Sequence, residues 1–253
     1  MLTEERFTEI LRLIERQRAV TVTELTQLLG ASESTIRRDL NVLHGRGLIH
    51  KVHGGATALQ SVKDIYNTEE DTVSEKRAQN RHEKLRIAQY AASLIQTGDF
   101  IYLDAGTSTD ALIDYLPDRR AIFVTNALSH AQKLVQRGFT TYILGGEFKL
   151  VTEAIVGSEA LSSLQKYNFT KGFFGTNGIS PASGFSTPDI NEAMVKTKAM
   201  SRCRECFILS DSSKFNKVSS ITFEEFGHAT VITTLLNDSN YRNCKNIVEV
   251  DRI

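Results

Sequence analysis

The chain has 253 residues, enough for one large domain or a small one joined to a medium one, and 41% hydrophobic against 24% charged residues is the balance of a folded globular chain. Thirty basic and thirty acidic residues cancel, which excludes a protein that coats nucleic acid by bulk charge and confines any such binding to a local patch. No run approaches the roughly 18 apolar residues of a membrane span, and residues 1–14 lack a signal-peptide pattern, so a cytoplasmic chain is expected. The three cysteines form no paired framework. Cys203 and Cys206 make a lone C-x-x-C without further zinc ligands at matching spacing, and read as partly buried thiols near a helix end.

Residues 4–16 set Ile10, Leu11, Leu13 and Ile14 among Glu and Arg, the pattern of an amphipathic helix with one buried stripe. Residues 20–22 favour a β break, and Thr23 is expected to cap a short helix through Leu29. Gly30 supplies the turn, and Ser32 caps the next helix. There Ile36, Leu40 and Leu43 face inward and Ser34, Thr35, Arg37 and Arg38 remain exposed. Residues 48–56 read as a β-hairpin wing with Gly54-Gly55 at its turn. Two helices across a glycine turn, the second basic on its free face, are built like a recognition helix and its support. Spacing alone is as compatible with a solvated surface; the wing favours DNA. Arginine forks onto a guanine edge or a phosphate, and hydroxyls suit either, so the expected contacts are Ser32, Ser34, Thr35, Arg37, Arg38, Lys51, His53 and Gly54. Asp39 is expected to be structural, paired with Arg37, Arg38 or nearby backbone. His44, His50 and His53 read as phosphate neighbours, and no metal site is expected.

The head therefore spans 1–57, a linker 58–73, and a larger domain 74–253. From Ser74 a long helical pattern runs to Ile95 and stops at Thr97-Gly98-Asp99. Beyond it, strand-like runs at 100–103, 122–124, 141–144, 171–174, 206–209 and 229–232 alternate with helices, as in an α/β domain with a largely parallel sheet. Five strand ends carry small or polar groups: Asp104 to Asp110, Thr125-Asn126, Gly145-Gly146, Gly175-Thr176-Asn177-Gly178 and Ser210 to Lys214. Each alone is ordinary turn vocabulary. Together, in a sheet whose ligands bind beyond the carboxyl ends of its strands, they point to one pocket. Gly106 with Thr107, Ser108 and Thr109 at a helix N-terminus suits a phosphate. Asp104, Asn126 and Asn177 suit sugar hydroxyls, and Lys196 or Lys214 can balance charge. Glu192 and Lys196, at i and i+4, fit this site or a plain surface pair equally well.

The string Ser32-x-x-Thr35-Ile36-Arg37-Arg38-Asp39-Leu40 and the wing Lys51-x-His53-Gly54-Gly55-Ala56 closely resemble the DeoR-type repressors. Asp104-x-Gly106-Thr107-x-Thr109, Thr125-Asn126, Gly145-Gly146, Gly175-Thr176-Asn177-Gly178 and Asp211-x-Ser213-Lys214 look like that family's sensor domain. The resemblance implies a winged helix-turn-helix followed by an α/β sensor related in fold to ribose-5-phosphate isomerase. It also implies operator DNA and a phosphorylated sugar as partners, no cofactor, and a homo-oligomer, dimer or tetramer. Residues 154–160 and 184–189 with Glu192-Ala193 are most similar to fructose-operon repressors of Gram-positive bacteria, which implies fructose 1-phosphate as inducer. Ser108 and Ser186 stand where threonine is more usual; both keep the hydroxyl. The alternative is a sugar-phosphate isomerase-like enzyme with an N-terminal adaptor, using Asp104, Asp211 or Glu192 as base. No Walker loop or nucleophile with a paired base accompanies it.

Overall fold

The computed structural model describes residues 3–17, 19–52, 54–58, 66–67, 72–117, 120–236 and 238–252. The chain divides into two compact units, one up to Asp64 and one from Ile65. The first contains α1 (Thr3–Gln17), β1 (Ala19–Thr21), α2 (Val22–Leu29), α3 (Glu33–Gly45), β2 (Ile49–Val52) and β3 (Gly55–Ala58). Phe7, Ile10 and Ile14 of α1 pack with Leu25, Ile36, Leu40, Leu43 and Ile49 in one closed core. The cap of α2 is Thr21, not Thr23. The last residue of β1 turns directly into the helix, its hydroxyl accepting from Glu24 N at 3.1 Å while Glu24 accepts from Thr21 N at 2.8 Å. Gly30 ends α2 in the left-handed region.

Asp39 is paired with neither Arg37 nor Arg38. It shares the inward face of α3 with Ile36, Leu40 and Leu43, is buried, and accepts from Arg6 of α1, with Nη2 to Oδ1 at 3.1 Å. The ion pair joins α1 to α3 across 33 residues of sequence, while Arg37 reaches back to Glu33 at 3.4 Å on the exposed side. Strand β3 pairs antiparallel with both β1 and β2. The crossing is tight at Gly55, where a Cβ would lie 2.2 Å from Val20 O.

The second unit starts with structure inside the expected linker: β4 (Tyr66–Asn67) pairs parallel with β14 (Val218–Ser219). The expected long helix from Ser74 is two, α4 (Val73–Ala78) and α5 (Arg81–Ser93). The chain breaks between them at Asn80, which takes φ 50° and donates its side-chain amide to Asp211 Oδ1 at 2.8 Å. Asparagine tolerates that backbone, and the distant carboxylate supplies a partner that periodicity does not reveal.

Among the described residues, seven parallel strands form the main sheet: β5 (Phe100–Leu103), β6 (Ile122–Thr125), β7 (Thr140–Ile143), β10 (Phe169–Phe174), β13 (Cys203–Leu209), β16 (Thr230–Thr233) and β17 (Ile247–Glu249), in the order β17-β16-β13-β10-β5-β6-β7. Alternation within each strand divides two cores. Ile101, Leu103, Phe123, Phe173, Leu209 and Ile232 pack with α5, α6 (Thr107–Asp114) and α7 (Leu128–Gln136). Tyr102, Val124, Phe174, Ile208 and Val231 pack on the other side with α8 (Ser158–Leu164) and α9 (Ile190–Met200). A hairpin of β8 (Glu147–Lys149) and β9 (Ala154–Val156), and a small sheet of β11 (Gly178–Ser180), β12 (Gly184–Thr187) and β15 (Ile221–Glu224), occupy segments that carry no strand expectation. The cysteines of the C-x-x-C lie on β13, donating to backbone: Cys203 Sγ to Ala199 O at 3.2 Å and Cys206 Sγ to Met200 O at 3.6 Å. No helix among the described residues is long and apolar enough to cross a membrane.

Two charges are buried near the amino ends of the central strands, where Lys171 Nζ donates to both oxygens of Asp99 at 2.8 and 3.0 Å. Burial would raise the Asp99 carboxyl, but the Lys171 ammonium and the Gln96 N–H hold it below its ordinary value. On α7, His130 is buried with no partner at Nδ1 among the described residues, and its Nε2 lies 4.0 Å from Asp110 Oδ1. Burial lowers its pKa to about 4, against the pull of Asp110.

Replacing Gly55 by alanine pushes a methyl into the β1 backbone and is expected to remove about 2 kcal/mol from the stability of the head, read by hydrogen exchange at core amides of α1 and α3. His130 stays neutral in the folded chain while the unfolded chain gains its proton below about pH 6.5. Stability is therefore lost as pH falls from there towards the folded value near 4. Between pH 7 and pH 5 the loss is on the order of 2 kcal/mol, and urea unfolding of His130→Gln at both pH values should show a drop smaller by that amount.

Candidate functional site

In the head, the buried stripe of α3 fixes which side chains remain free. Ser34, Arg37 and Arg38 are exposed along one face and Thr35 is half-buried. Ser32 is the N-cap, its hydroxyl accepting from Thr35 N at 3.3 Å and lying 2.9 Å from the hydroxyls of Ser34 and Thr35. Lys51 of β2 donates to Asn41 of α3, so one lysine links the wing to the helix. Sequence reading passed over Asn41. Gly54, at φ 83°, stands exposed at the wing turn, and His53 lies outside the described residues. The Arg37 side chain is 57% exposed, and its pair with Glu33 is the weak kind found on open helix surfaces.

In the second unit a cavity of about 70 Å³ opens beyond the carboxyl ends of β5, β10 and β13. Of the residues expected there, Gly106, Thr107, Ser108, Gly175, Thr176, Asn177, Glu192, Lys196, Asp211 and Lys214 line it together. Gly106 is the N-cap of α6, and the first intrahelical bond runs from Asp110 N to its carbonyl at 2.9 Å. The amides of Thr107 and Ser108 thus precede the helical ladder, at the end where the helix dipole favours an anion.

Asp104 lies beneath this lining. Its Oδ2 accepts from Lys196 Nζ and from Gly175 N at 3.1 Å, and Lys196 also donates to Gly175 O at 3.2 Å. Burial pushes the Asp104 carboxyl up; the lysine and the amide act against it. Glu192 and Lys196 are both buried and do not pair with each other. Glu192 accepts from Thr152 and from Lys149 Nζ at 3.2 Å, because successive turns of α9 aim the two side chains at different elements.

The remaining expected residues stand outside the lining, and their bonds show why. Asn126 accepts from Ala105 N at 2.9 Å and donates to Ile155 O at 3.3 Å. Thr109 donates to Asp104 O at 2.7 Å, and Thr125 accepts from Ala127 N at 3.1 Å. A Cβ on Gly146 would sit 2.4 Å from Val156 O, and one on Gly178 2.5 Å from Lys217 O. Gly145 leads into the same hairpin. These residues hold the loops; they do not face the cavity.

Sequence reading passed over Val73, Lys76, Lys84 and Thr152, all of which line the cavity, as does Ser210 at the expected end of β13. Lys84 is buried on α5 and donates to Lys76 O; burial lowers its pKa while Asp211 supports its charge. The signal available was a lysine on the apolar face of a helix, beside Ile87, Ala88 and Ala91. Four lysines thus surround the cavity with Glu192 and Asp211 as its lining carboxylates. Asp211 is already engaged, accepting from Asn80, Ser213 N and the Ser213 hydroxyl.

Residues 6–62 match the DeoR-like helix-turn-helix domain, and residues 79–235 match the DeoR C terminal sensor domain. The chain is 42% identical over 253 residues to the uncharacterized HTH-type transcriptional regulator FruR of Bacillus subtilis, covering 99% of both chains. It is 33% identical to the lactose phosphotransferase system repressor of Streptococcus mutans, covering 95% of each. Among solved structures, ribose 5-phosphate isomerase A of Methanocaldococcus jannaschii aligns with 54% of this chain and 55% of its own, at TM-score 0.41 and 17% identity. With both domains matched in order and full-length relatives aligned nearly end to end, the chain belongs to the DeoR family of transcriptional regulators.

Proposed function

We propose that this chain is a cytoplasmic repressor of a sugar-utilisation operon, released from operator DNA when a sugar phosphate enters the cavity at the strand ends. The observation that carries the reading is the joining of four lysines, the N-terminus of α6 and the hydroxyls of Thr107, Ser108, Thr152 and Thr176 around one small cavity. Cations and free amides suit a phosphate, and the hydroxyls and Asn177 suit a sugar. The likeness to lactose phosphotransferase system repressors supports a sugar operon, and fructose 1-phosphate is the effector that the motifs at 154–160 and 184–189 favour. The exposed face of α3 and the wing supply the operator contacts, with Arg37 and Arg38 in reach of base edges or phosphates. Two or more copies together engage a repeated or palindromic operator.

Binding is favoured over isomerisation by the state of the three candidate bases. Asp104 is locked to Lys196 and Gly175, Glu192 to Thr152 and Lys149, and Asp211 to Asn80 and Ser213. Each carboxylate already serves as a structural acceptor. By linkage, operator and effector weaken each other's binding by the same factor.

Arg37→Ala is expected to weaken operator binding at least about tenfold, near 1.4 kcal/mol, in a gel shift on the region upstream of the chain's own operon, with little change in stability. Lys214→Ala should bind operator like the wild type yet need much more fructose 1-phosphate for release, and lose the thermal shift that a hexose-phosphate panel gives the wild type. Constitutive release by Lys214→Ala, or no operator binding by the wild type, would refute the reading.

A further inference from the structure

The main sheet ends very differently on its two sides. At β17 the edge is blunted: Glu249 pairs with Arg252 at 2.9 Å and accepts from Leu236 N, and a 3-10 turn follows at Val250–Arg252. At β7 the edge is open, with Tyr142 and Ile143 about half exposed. The chain then passes through Gly145 and Gly146 into the β8–β9 hairpin, where Phe148, Val151 and above all Leu150, 79% exposed, face out. A bridge between Ala127 and Ala154 sets this hairpin beside the start of α7, where Leu128 is also exposed.

These six residues together expose on the order of 600 Å², at the top of the ~300–600 Å² range of the largest patch on an ordinary monomer and most of the ~800 Å² that each partner buries in a standard interface. An open edge strand flanked by apolar side chains is a template for further pairing, and a two-fold axis lets one such patch meet itself. The geometry points to the β7 edge and the β8–β9 hairpin as the interface between two copies of this chain.

The hairpin also reaches the cavity. Leu150 and Val151 at its tip are flanked by Lys149, which pairs with Asp189 at 3.1 Å and Glu192 at 3.2 Å, and by Thr152, which donates to Glu192 and lines the cavity itself. An effector that draws on Glu192 or Thr152 pulls on the segment that holds the second copy. The interface thereby connects effector binding to the association of the two copies. This step rests on the repressor reading above; the location of the interface does not.

Sedimentation velocity of the full chain tests the assignment, with circular dichroism as the control for folding. The wild type should self-associate. Leu150→Asp, at a position too exposed to disturb the fold, should weaken that association at least tenfold. Met194→Asp, on the separate apolar groove between α8 and α9, should not. Fructose 1-phosphate should change the wild-type association constant. A Leu150→Asp variant that associates like the wild type overturns the interface, as does dissociation by Met194→Asp alone. A monomeric wild type that still retards operator DNA overturns the interface and leaves the repressor reading standing; a self-associating wild type that ignores DNA does the reverse.

Discussion

An ammonium and a carboxylate placed out of water must find each other, and Asp104 and Lys196 do so at the centre of the larger domain. Both are almost fully buried, and leaving either alone would cost several kcal/mol. The shared partner Gly175 completes the arrangement, its N–H directed at the carboxylate and its carbonyl at the ammonium. One ion pair therefore ties the end of β5, the end of β10 and the middle of α9 into a fixed triangle. The Lys196 ammonium also lies 5.5 Å from the centre of the Phe223 ring, which fastens α9 to β15. The loops at the ends of β5 and β10 that line the cavity are held by this frame.

Around the frame, the polar residues at the strand ends divide into those that brace and those that present. Asn126, Thr109 and Thr125 spend their hydrogen bonds on loop backbone. Thr107 and Ser108 stand on the loops so held, while Thr176 lines the cavity and also gives its hydroxyl to Gly178 O and Ser186 O, at 2.9 and 3.1 Å. Such support lowers the ordering cost of binding, since the ligand meets groups already in position. The rim on the α4–α5 side is of another kind. Helix α4, which carries Lys76, buries no side chain, whereas Lys84 comes from α5, whose Ile87, Ala88 and Ala91 sit in the core. The floor and most of the lysines are held by the core, and α4 is lightly attached.

Periodicity made the helices of the head and the central strands readable because their burial repeats at 3.6 or 2 residues, as at Ile36, Leu40 and Leu43 or Ile101 and Leu103. The strand-end loops were readable as a group through their small and polar residues. What stayed hidden depended on partners far away in sequence. Asp39 belongs to Arg6, and Asn80 breaks a helix for the sake of Asp211. Asn126 looks like a sugar ligand until its two backbone partners are seen. Lys84 and Thr152 reach the cavity from segments whose local pattern describes only a helix and a turn. The hairpin β8–β9 was missed because three-residue strands are too short to show alternation.

The strand order also dictates when the cavity can form. The head closes its core entirely within residues 3–58. The cavity draws on residues from Val73 to Lys214, and β5, its first strand, gains its β10 neighbour only after some seventy residues more. At ribosomal speeds of roughly 5–20 residues per second, the interval between a finished head and a finished cavity is on the order of ten seconds. A chain caught in that interval has the fold that addresses DNA and lacks the fold that answers to metabolism. Early termination of this protein therefore yields something other than an unfolded fragment: a closed helix-turn-helix core with no cavity behind it.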